Sequence, residues 1–241
     1  MPNYVDLHCH WLPGVDDGAP SLKVGLDMLR GLGELGFALV VATPHMRPGL
    51  FDNERDRLSA VFQEALIVLE RKPGMPRVEL ACEHYFDDVV LGRIQRGAGL
   101  PYPGGKALLL EFYDTRFPLS VDQQLAGLRR RGLLPVIAHP ERYQVVWQQP
   151  EVLERLLDVG AAALLDVAAL AGRYGRAPRR CAESLLEAGL YHAACSDAHR
   201  SQDLVDVRAG MDLVVRRFGQ EELDFLFRDG PLALLAGAIP K

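Results

Sequence analysis

With 241 residues, 49% of them hydrophobic and 24% charged, the chain carries ample apolar material for a large core and lacks the charge excess of a disordered polypeptide. A net charge of −5 argues against a general nucleic-acid surface, so no nucleic-acid partner is expected. No stretch approaches the roughly 18 consecutive apolar residues of a membrane span, and the N-terminus lacks the basic and apolar regions of a signal peptide, so no membrane insertion is expected either.

Strand and helix patterns then alternate along the chain. A strand over residues 4–7 runs into His8-Cys9-His10. A loop with Gly14, Gly18 and Pro20 leads to Ser21, placed as the N-cap of a helix whose Leu22, Leu26, Leu29, Leu32 and Leu35 share one stripe and which Gly36 closes. A second strand spans 37–42, just before His45. Asn53 is placed to cap a helix bearing Leu58, Val61, Phe62, Ala65 and Leu69 at helical spacing. Five more strands are expected over 77–82, 107–112, 133–138, 162–167 and 191–195, with helical patterns between them and a helical tail starting over 203–218.

Near-continuous apolar strands are what a parallel sheet covered by helices demands, although Pro135 removes one ladder donor. Right-handed βα units repeated seven times can close into a barrel or lie open, and an open sheet would concentrate active residues at one switch point. Here candidate ligands follow six of the seven strands. The expected fold is therefore α/β, a distorted seven-stranded (β/α)7 TIM-like barrel, in a single domain over residues 1–241. Cys9, Cys82, Cys181 and Cys195 show no C-x-x-C spacing, which favours free thiols and a reducing, cytoplasmic setting.

The chemistry concentrates at strand ends. His8, His10, His45, His139 and His199 each follow a strand-like run, and Glu83, Glu111 and Asp197 occupy equivalent places. C-terminal strand ends of a parallel barrel converge on one mouth, and imidazoles gathered there with carboxylates make a polynuclear divalent-metal site. His8 and His10 stand two residues apart, so an extended backbone turns both rings to one side.

Read together, Asp6-Leu7-His8-Cys9-His10, Val15-Asp16-Asp17-Gly18, Thr43-Pro44-His45, Glu83 with Tyr85, Glu111-Phe112, His139-Pro140-Glu141-Arg142-Tyr143 and Ser196-Asp197-Ala198-His199 resemble the PHP (polymerase and histidinol phosphatase) superfamily. The match is nearest to its bacterial capsule-associated tyrosine phosphatases of CpsB/YwqE type and covers residues 3–199, leaving the tail without a motif. Two places depart from that pattern. The family commonly has an arginine several residues beyond Asp-x-His, where this chain has Leu204 and only the adjacent Arg200; strand 6 ends Leu164-Leu165-Asp166-Val167 in place of a polar segment.

The resemblance implies three divalent ions, Mn2+ first, with Fe or Zn2+ as alternatives. One ion would take His8, His10, Glu83 and Asp197; a second would share Glu83 and add Glu111 and His139; the third would take Asp17, His45 and His199. It also implies a metal-dependent phosphomonoesterase, a protein-tyrosine phosphatase acting by attack of metal-activated hydroxide on phosphorus and linked to capsule or exopolysaccharide regulation. Its substrate would be a phosphotyrosine protein, such as an autophosphorylating bacterial tyrosine kinase. Tyrosinate, with a reference pKa near 10, leaves far more readily than an alkoxide, so its hydrolysis depends less on a general acid, and no residue declares itself as that acid. Arg142, and less directly Arg47, are placed to clamp phosphate, because guanidinium can hold two phosphate oxygens at once.

Other readings stay open. Another PHP phosphoesterase, for histidinol phosphate, a small molecule or a nucleotide, would use the same residues, and so would a non-catalytic metal-stabilised regulatory protein. Arg142 could instead bridge Glu141 or a helix end, and Asp166 could support the site or only the fold. His84 and His192 match no ligand position and are expected to be structural, while Arg129-Arg130-Arg131 reads as a solvated helix terminus. A cysteine-phosphatase mechanism is disfavoured: Cys195 and Arg200 are one residue too close for its phosphate loop, and Asp197 and His199 lie between them.

Overall fold

The computed structural model describes residues 3–240. Its strands are β1 (Tyr4–Cys9), β2 (Phe37–Ala42), β3 (His45–Met46), β4 (Arg77–Leu80), β5 (Glu83–Tyr85), β6 (Ala107–Glu111), β7 (Leu134–Ala138), β8 (Ala162–Asp166) and β9 (Ala193–Cys195), and every paired neighbour is parallel. They form two ladders, β1-β2-β4 and β3-β5-β6-β7-β8-β9. The expected strands over 37–42 and 77–82 are each one passage broken near the mouth: β2 resumes as β3 beyond Thr43-Pro44, and β4 stops at Leu80 to resume as β5. Pro44 has no N–H to give. Its carbonyl still accepts from Glu83 N at 3.1 Å and from Cys82 Sγ at 2.8 Å, which carries pairing across the break.

Seven strand passages thus follow one another round a distorted barrel. Its seam between β9 and β1 is joined by Asp197 N donating to His8 O at 2.9 Å and His10 N donating to Ala198 O at 3.0 Å. Pro135 stands ahead of the β7–β8 ladder, which begins at Val136, so the sheet tolerates it.

Side chains alternate along each strand. Val5 and Leu7, Val41, Ala81, Leu109, Val136 and Ala138, Leu164, Ala193 and Cys195 form one buried cluster, closed below by Tyr102 and Leu234. The intervening Val40, Leu108, Leu110, Ile137, Ala163, Leu165 and Ala194 pack with the helices. Continuing the inner row by one more step gives Glu83, Glu111, Asp166 and Asp197, so the two-residue period of a strand lifts the apolar interior into a ring of carboxylates.

The helices are α1 (Leu22–Glu34), α2 (Arg55–Leu69), α3 (Asp88–Gln95), α4 (Val121–Arg130), α5 (Gln144–Gln148), α6 (Glu151–Asp158), α7 (Arg176–Glu187), α8 (Leu204–Phe218), α9 (Gln220–Asp224) and α10 (Gly230–Leu235). Ser21 caps α1 through Val24 N. Asn53 does not cap α2, which starts after Glu54. Its buried amide instead donates to Val15 O at 2.9 Å and His45 O at 2.8 Å, tying two mouth loops together.

The tail beyond residue 199 belongs to the core. Helix α8 lies so close to the turn after β8 that a Cβ on Gly210 would sit 2.1 Å from Val167 O. Phe227, fully buried, packs against Tyr4 and Phe37 with centroids 5.9 and 5.4 Å away. No helix among the described residues is long and apolar enough to cross a membrane.

Candidate metal centre

Four groups of side chains at the mouth have ligand atoms within 4.8 Å of one another: His10, Asp17, His45 and His199; His8, His10 and Asp197; His8, Glu83 and His139; and His45, Glu83 and Glu111. These groups draw on all nine residues named above as candidate ligands. Glu83 is central. Its Oε1 lies 3.0 Å from His139 Nε2 and 3.6 Å from His8 Nε2, and its Oε2 lies 2.8 Å from His45 Nδ1 and 3.5 Å from His10 Nε2. Asp197 Oδ1 stands 2.8 Å from His8 Nε2 and 3.4 Å from His10 Nε2. Asp17, on the rim, is 3.5 Å from the Nε2 atoms of both His45 and His199. Glu111 Oε2 is approached by His45 Nδ1 at 3.6 Å.

The residues fit a divalent cation. His45 Nδ1, Glu83 Oε2, Glu111 Oε2, His139 Nδ1 and Asp197 Oδ1 are buried without a hydrogen-bond partner, even where a complementary atom lies close. Orphaned buried polar atoms are costly, and five around one mouth call for a shared positive charge. The imidazoles are also aimed. His10 Nδ1 bonds Asp16 Oδ2 at 2.8 Å, His8 Nδ1 bonds Thr43 Oγ1 at 3.1 Å and His199 Nδ1 bonds Asp197 O at 3.0 Å, which leaves each Nε2 free to face inward.

The loops that present these groups are held tightly. Asp16 accepts from His45 N at 3.1 Å and Gly18 N at 2.9 Å, and a Cβ on Gly18 would meet His10 O at 2.2 Å, so only glycine permits that turn. His139 and Asp197, with φ of 35° and 44°, are the only described non-glycine residues in the left-handed region. Backbone strain of this kind collects at functional sites. Asp197's turn is held by buried Asp6, which accepts from Ser196 N at 2.9 Å and also from its hydroxyl.

Charge follows the packing. Burial pushes the Glu83 and Asp197 carboxyls up, but the surrounding imidazoles together outweigh it, His8 first, then His45 for Glu83 and His10 hydrogen bonding for Asp197, and both lie well below the usual range. Burial, then the charge of Glu83, raises Glu111 to about 7. Burial, then Arg142, lowers His139 to about 4, so its imidazole is neutral and ready to coordinate.

Above the cluster lies a cavity of about 360 Å³ whose walls include Arg47 and Arg142. Arg142 Nη1 donates to Asp197 Oδ2 at 2.6 Å, and its guanidinium lies over the Tyr174 ring at 4.6 Å. It does not bridge Glu141, which accepts from Asp166 N at 2.8 Å and Tyr191 Oη at 2.9 Å. Arg47 lies 4.1 Å over the Tyr85 ring. Arg200 is held elsewhere: its Nη1 donates to the carbonyls of Asp17, Gly18 and His199, clasping two loops. Leu204 packs on α1, where a Cβ on Gly31 would lie 2.4 Å from Leu204 Cδ1, so it does not face the mouth.

His84 and His192 are structural. His84 Nδ1 bonds Leu109 O and its Nε2 accepts from Leu100 N, both at 3.0 Å, and His192 Nδ1 accepts from Ala163 N at 3.1 Å. Sequence reasoning assigned no role to Asp6, Asp16 or Thr43, and the wrong one to Asn53. Asp6, Asp16 and Thr43 lie inside motif segments, which was their only signal; Asn53 gave a misleading one, since an amide ahead of a helix reads as a cap.

Fold and mouth together define a metal-binding barrel of the PHP type. The chain belongs to the capsular polysaccharide synthesis family CpsB/CapC, whose model matches residues 4–236 and so takes in most of the tail. It is 31% identical over 199 residues to the tyrosine-protein phosphatase YwqE of Bacillus subtilis (strain 168), across 81% of this chain and 77% of the relative. A solved structure from a set comprising YwqE from Bacillus subtilis and CpsB from Streptococcus pneumoniae, metal-dependent tyrosine phosphatases, superposes with a TM-score of 0.89 and 28% identity, covering 97% of this chain and 95% of that one. A remoter likeness, to β-aspartyl dipeptidase from Fervidobacterium islandicum AW-1, has 14% identity and a TM-score of 0.56 over 100% of this chain and 77% of the other; it is one of fold alone.

Proposed function

We propose that this chain is a metal-dependent protein-tyrosine phosphatase. The observation that carries the reading is Glu83 among four imidazoles beneath a cavity lined by two arginines. We assign three divalent ions to the mouth: His8, His10, Glu83 and Asp197 hold the first, Glu83, Glu111 and His139 the second, and Asp17, His45 and His199 the third. Mn2+ is the first expectation, Fe or Zn2+ the next, since mixed imidazole and carboxylate ligands suit all of them.

Bound divalent ions would supply Lewis acidity and a water whose pKa falls from 15.7 to about 7. The chain's residues do the rest. Asp16 and the Asp197 carbonyl, which only accept, keep the proton on Nδ1 of His10 and His199, and Thr43 orients the His8 ring. Arg142 and Arg47 bind and orient the phosphoryl group, Arg142 steadied by Asp197 and the Tyr174 ring. Phenolate, with a conjugate-acid pKa near 10, depends less on a protein acid than an alkoxide does.

The family's link to capsular polysaccharide synthesis supports a regulatory role there, with a phosphotyrosine protein such as an autophosphorylating tyrosine kinase as substrate. Four buried free thiols support a reducing, cytoplasmic setting. The test is a phosphosubstrate panel on protein purified without chelator and analysed for metal. Phosphotyrosine peptides and aryl phosphates should exceed phosphoserine peptides and histidinol phosphate in kcat/KM. A tenfold preference for histidinol phosphate, about 1.4 kcal/mol of transition-state binding, would reassign the enzyme.

A further inference from the structure

One wall of the cavity carries aromatic rings that neither metal binding nor phosphate contact uses. Phe51 lies parallel over His45, centroids 5.3 Å apart at 6°. Tyr85 is buried beneath Arg47, and Tyr113 meets it edge-on at 5.0 Å. Tyr113 itself is 54% exposed, and Leu50, next to Phe51 in the chain, is 61% exposed. Both line this cavity with Phe51. Large apolar side chains left in water at the rim of a charged mouth mark a surface that a ligand covers.

Arg47 fixes the relation between that wall and the phosphate. It lines the cavity with its guanidinium on Tyr85, and Tyr85 in turn supports Tyr113. A phosphoryl group drawn down to the arginines and the ligand cluster leaves its ester substituent pointing outward, across Tyr113, Leu50 and Phe51. A flat apolar group gains most there, because aromatic edges and faces attract one another beyond simple burial.

We propose that Tyr113, with Leu50 and Phe51, forms a subsite for the aryl ring of the substrate. Discrimination between aryl and alkyl phosphates then resides in ring contact as well as in leaving-group chemistry. The proposal rests on the phosphatase reading above.

Phosphonates separate the two contributions, because they bind without a leaving group. Calorimetric titration of protein purified without chelator, with phenylphosphonate and with methylphosphonate, gives an affinity ratio that reports the ring alone. Wild type should favour phenylphosphonate. Tyr113→Ala should reduce the phenyl-to-methyl ratio by about fivefold, in keeping with one aromatic contact, while Tyr113→Phe should retain it. A ratio in Tyr113→Ala within twofold of wild type, in protein that hydrolyses phenyl phosphate, would overturn the subsite and leave the phosphatase reading standing. Wild-type protein that hydrolyses neither phenyl phosphate nor phosphotyrosine would overturn both.

Discussion

Arg142 Nη1 donates to Asp197 Oδ2 at 2.6 Å, tying the guanidinium that faces the cavity to a carboxylate whose other oxygen lies 2.8 Å from His8 Nε2. One residue therefore reaches both the phosphate space and the ligand cluster. Arg142→Lys keeps the charge but loses the planar fork. Removing one charge-assisted hydrogen bond of about 1.5–3 kcal/mol should lower kcat/KM by about 10- to 150-fold. A rise in KM alone would mark a contact made equally to substrate and transition state; wild-type kinetics would show that Arg142 only steadies Asp197 and Tyr174.

The bond from His10 Nδ1 to Asp16 Oδ2, at 2.8 Å, sets which imidazole nitrogen faces inward. Asp16→Asn loses the carboxylate that fixes this tautomer. Metal affinity, measured by competition with a chelator, should weaken by about 10- to 100-fold while the fold persists. Unchanged affinity would mean that His10 needs no such partner.

Glu83 touches imidazoles from β1, β3 and the end of β7. Glu83→Gln preserves size and removes the charge that a bridging ligand supplies. Wild type should carry two to three divalent ions per chain by elemental analysis. The variant should lose at least one, with turnover reduced by orders of magnitude and an unaltered circular dichroism spectrum.

Burial, then the charge of Asp166, raises the fully buried Glu141 to about 8. The folded chain therefore holds a proton that the unfolded chain releases near 4.5. The associated stability is fully present below pH 4.5 and is lost as pH rises through about 8, at up to about 1.4 kcal/mol per unit. Urea unfolding of wild type minus Glu141→Gln across that window should show this decline, because glutamine stays neutral throughout. Parallel pH profiles would mean that Glu141 is ionised in the folded protein.

Leu204 stands near where the resembled enzymes carry an arginine, yet it packs on Gly31 of α1. Leu204→Arg should therefore not rescue Arg142→Lys. It should destabilise the fold by about 1–3 kcal/mol through overpacking, read as a lower urea midpoint. Recovered activity in the double variant would place residue 204 at the mouth after all.

The strand-end residues were legible without coordinates because the barrel's chemistry is local to each βα unit: an apolar run, then a His, Glu or Asp one step beyond. The two-residue period that buries Leu109 and Cys195 also aims Glu111 and Asp197 inward, so hydropathy alone carried the inner row to the mouth. What tertiary structure alone decided is pairing across the ring. That His45 approaches Glu111, that Asn53 joins two loops in place of capping a helix, and that Arg200 is held by carbonyls all depend on contacts between distant segments. The tail shows the same division. Leu204 to Val215 reads as a core-facing helix stripe, but that Phe227 seals the core against Tyr4 and Phe37 depends on which surfaces the fold leaves uncovered.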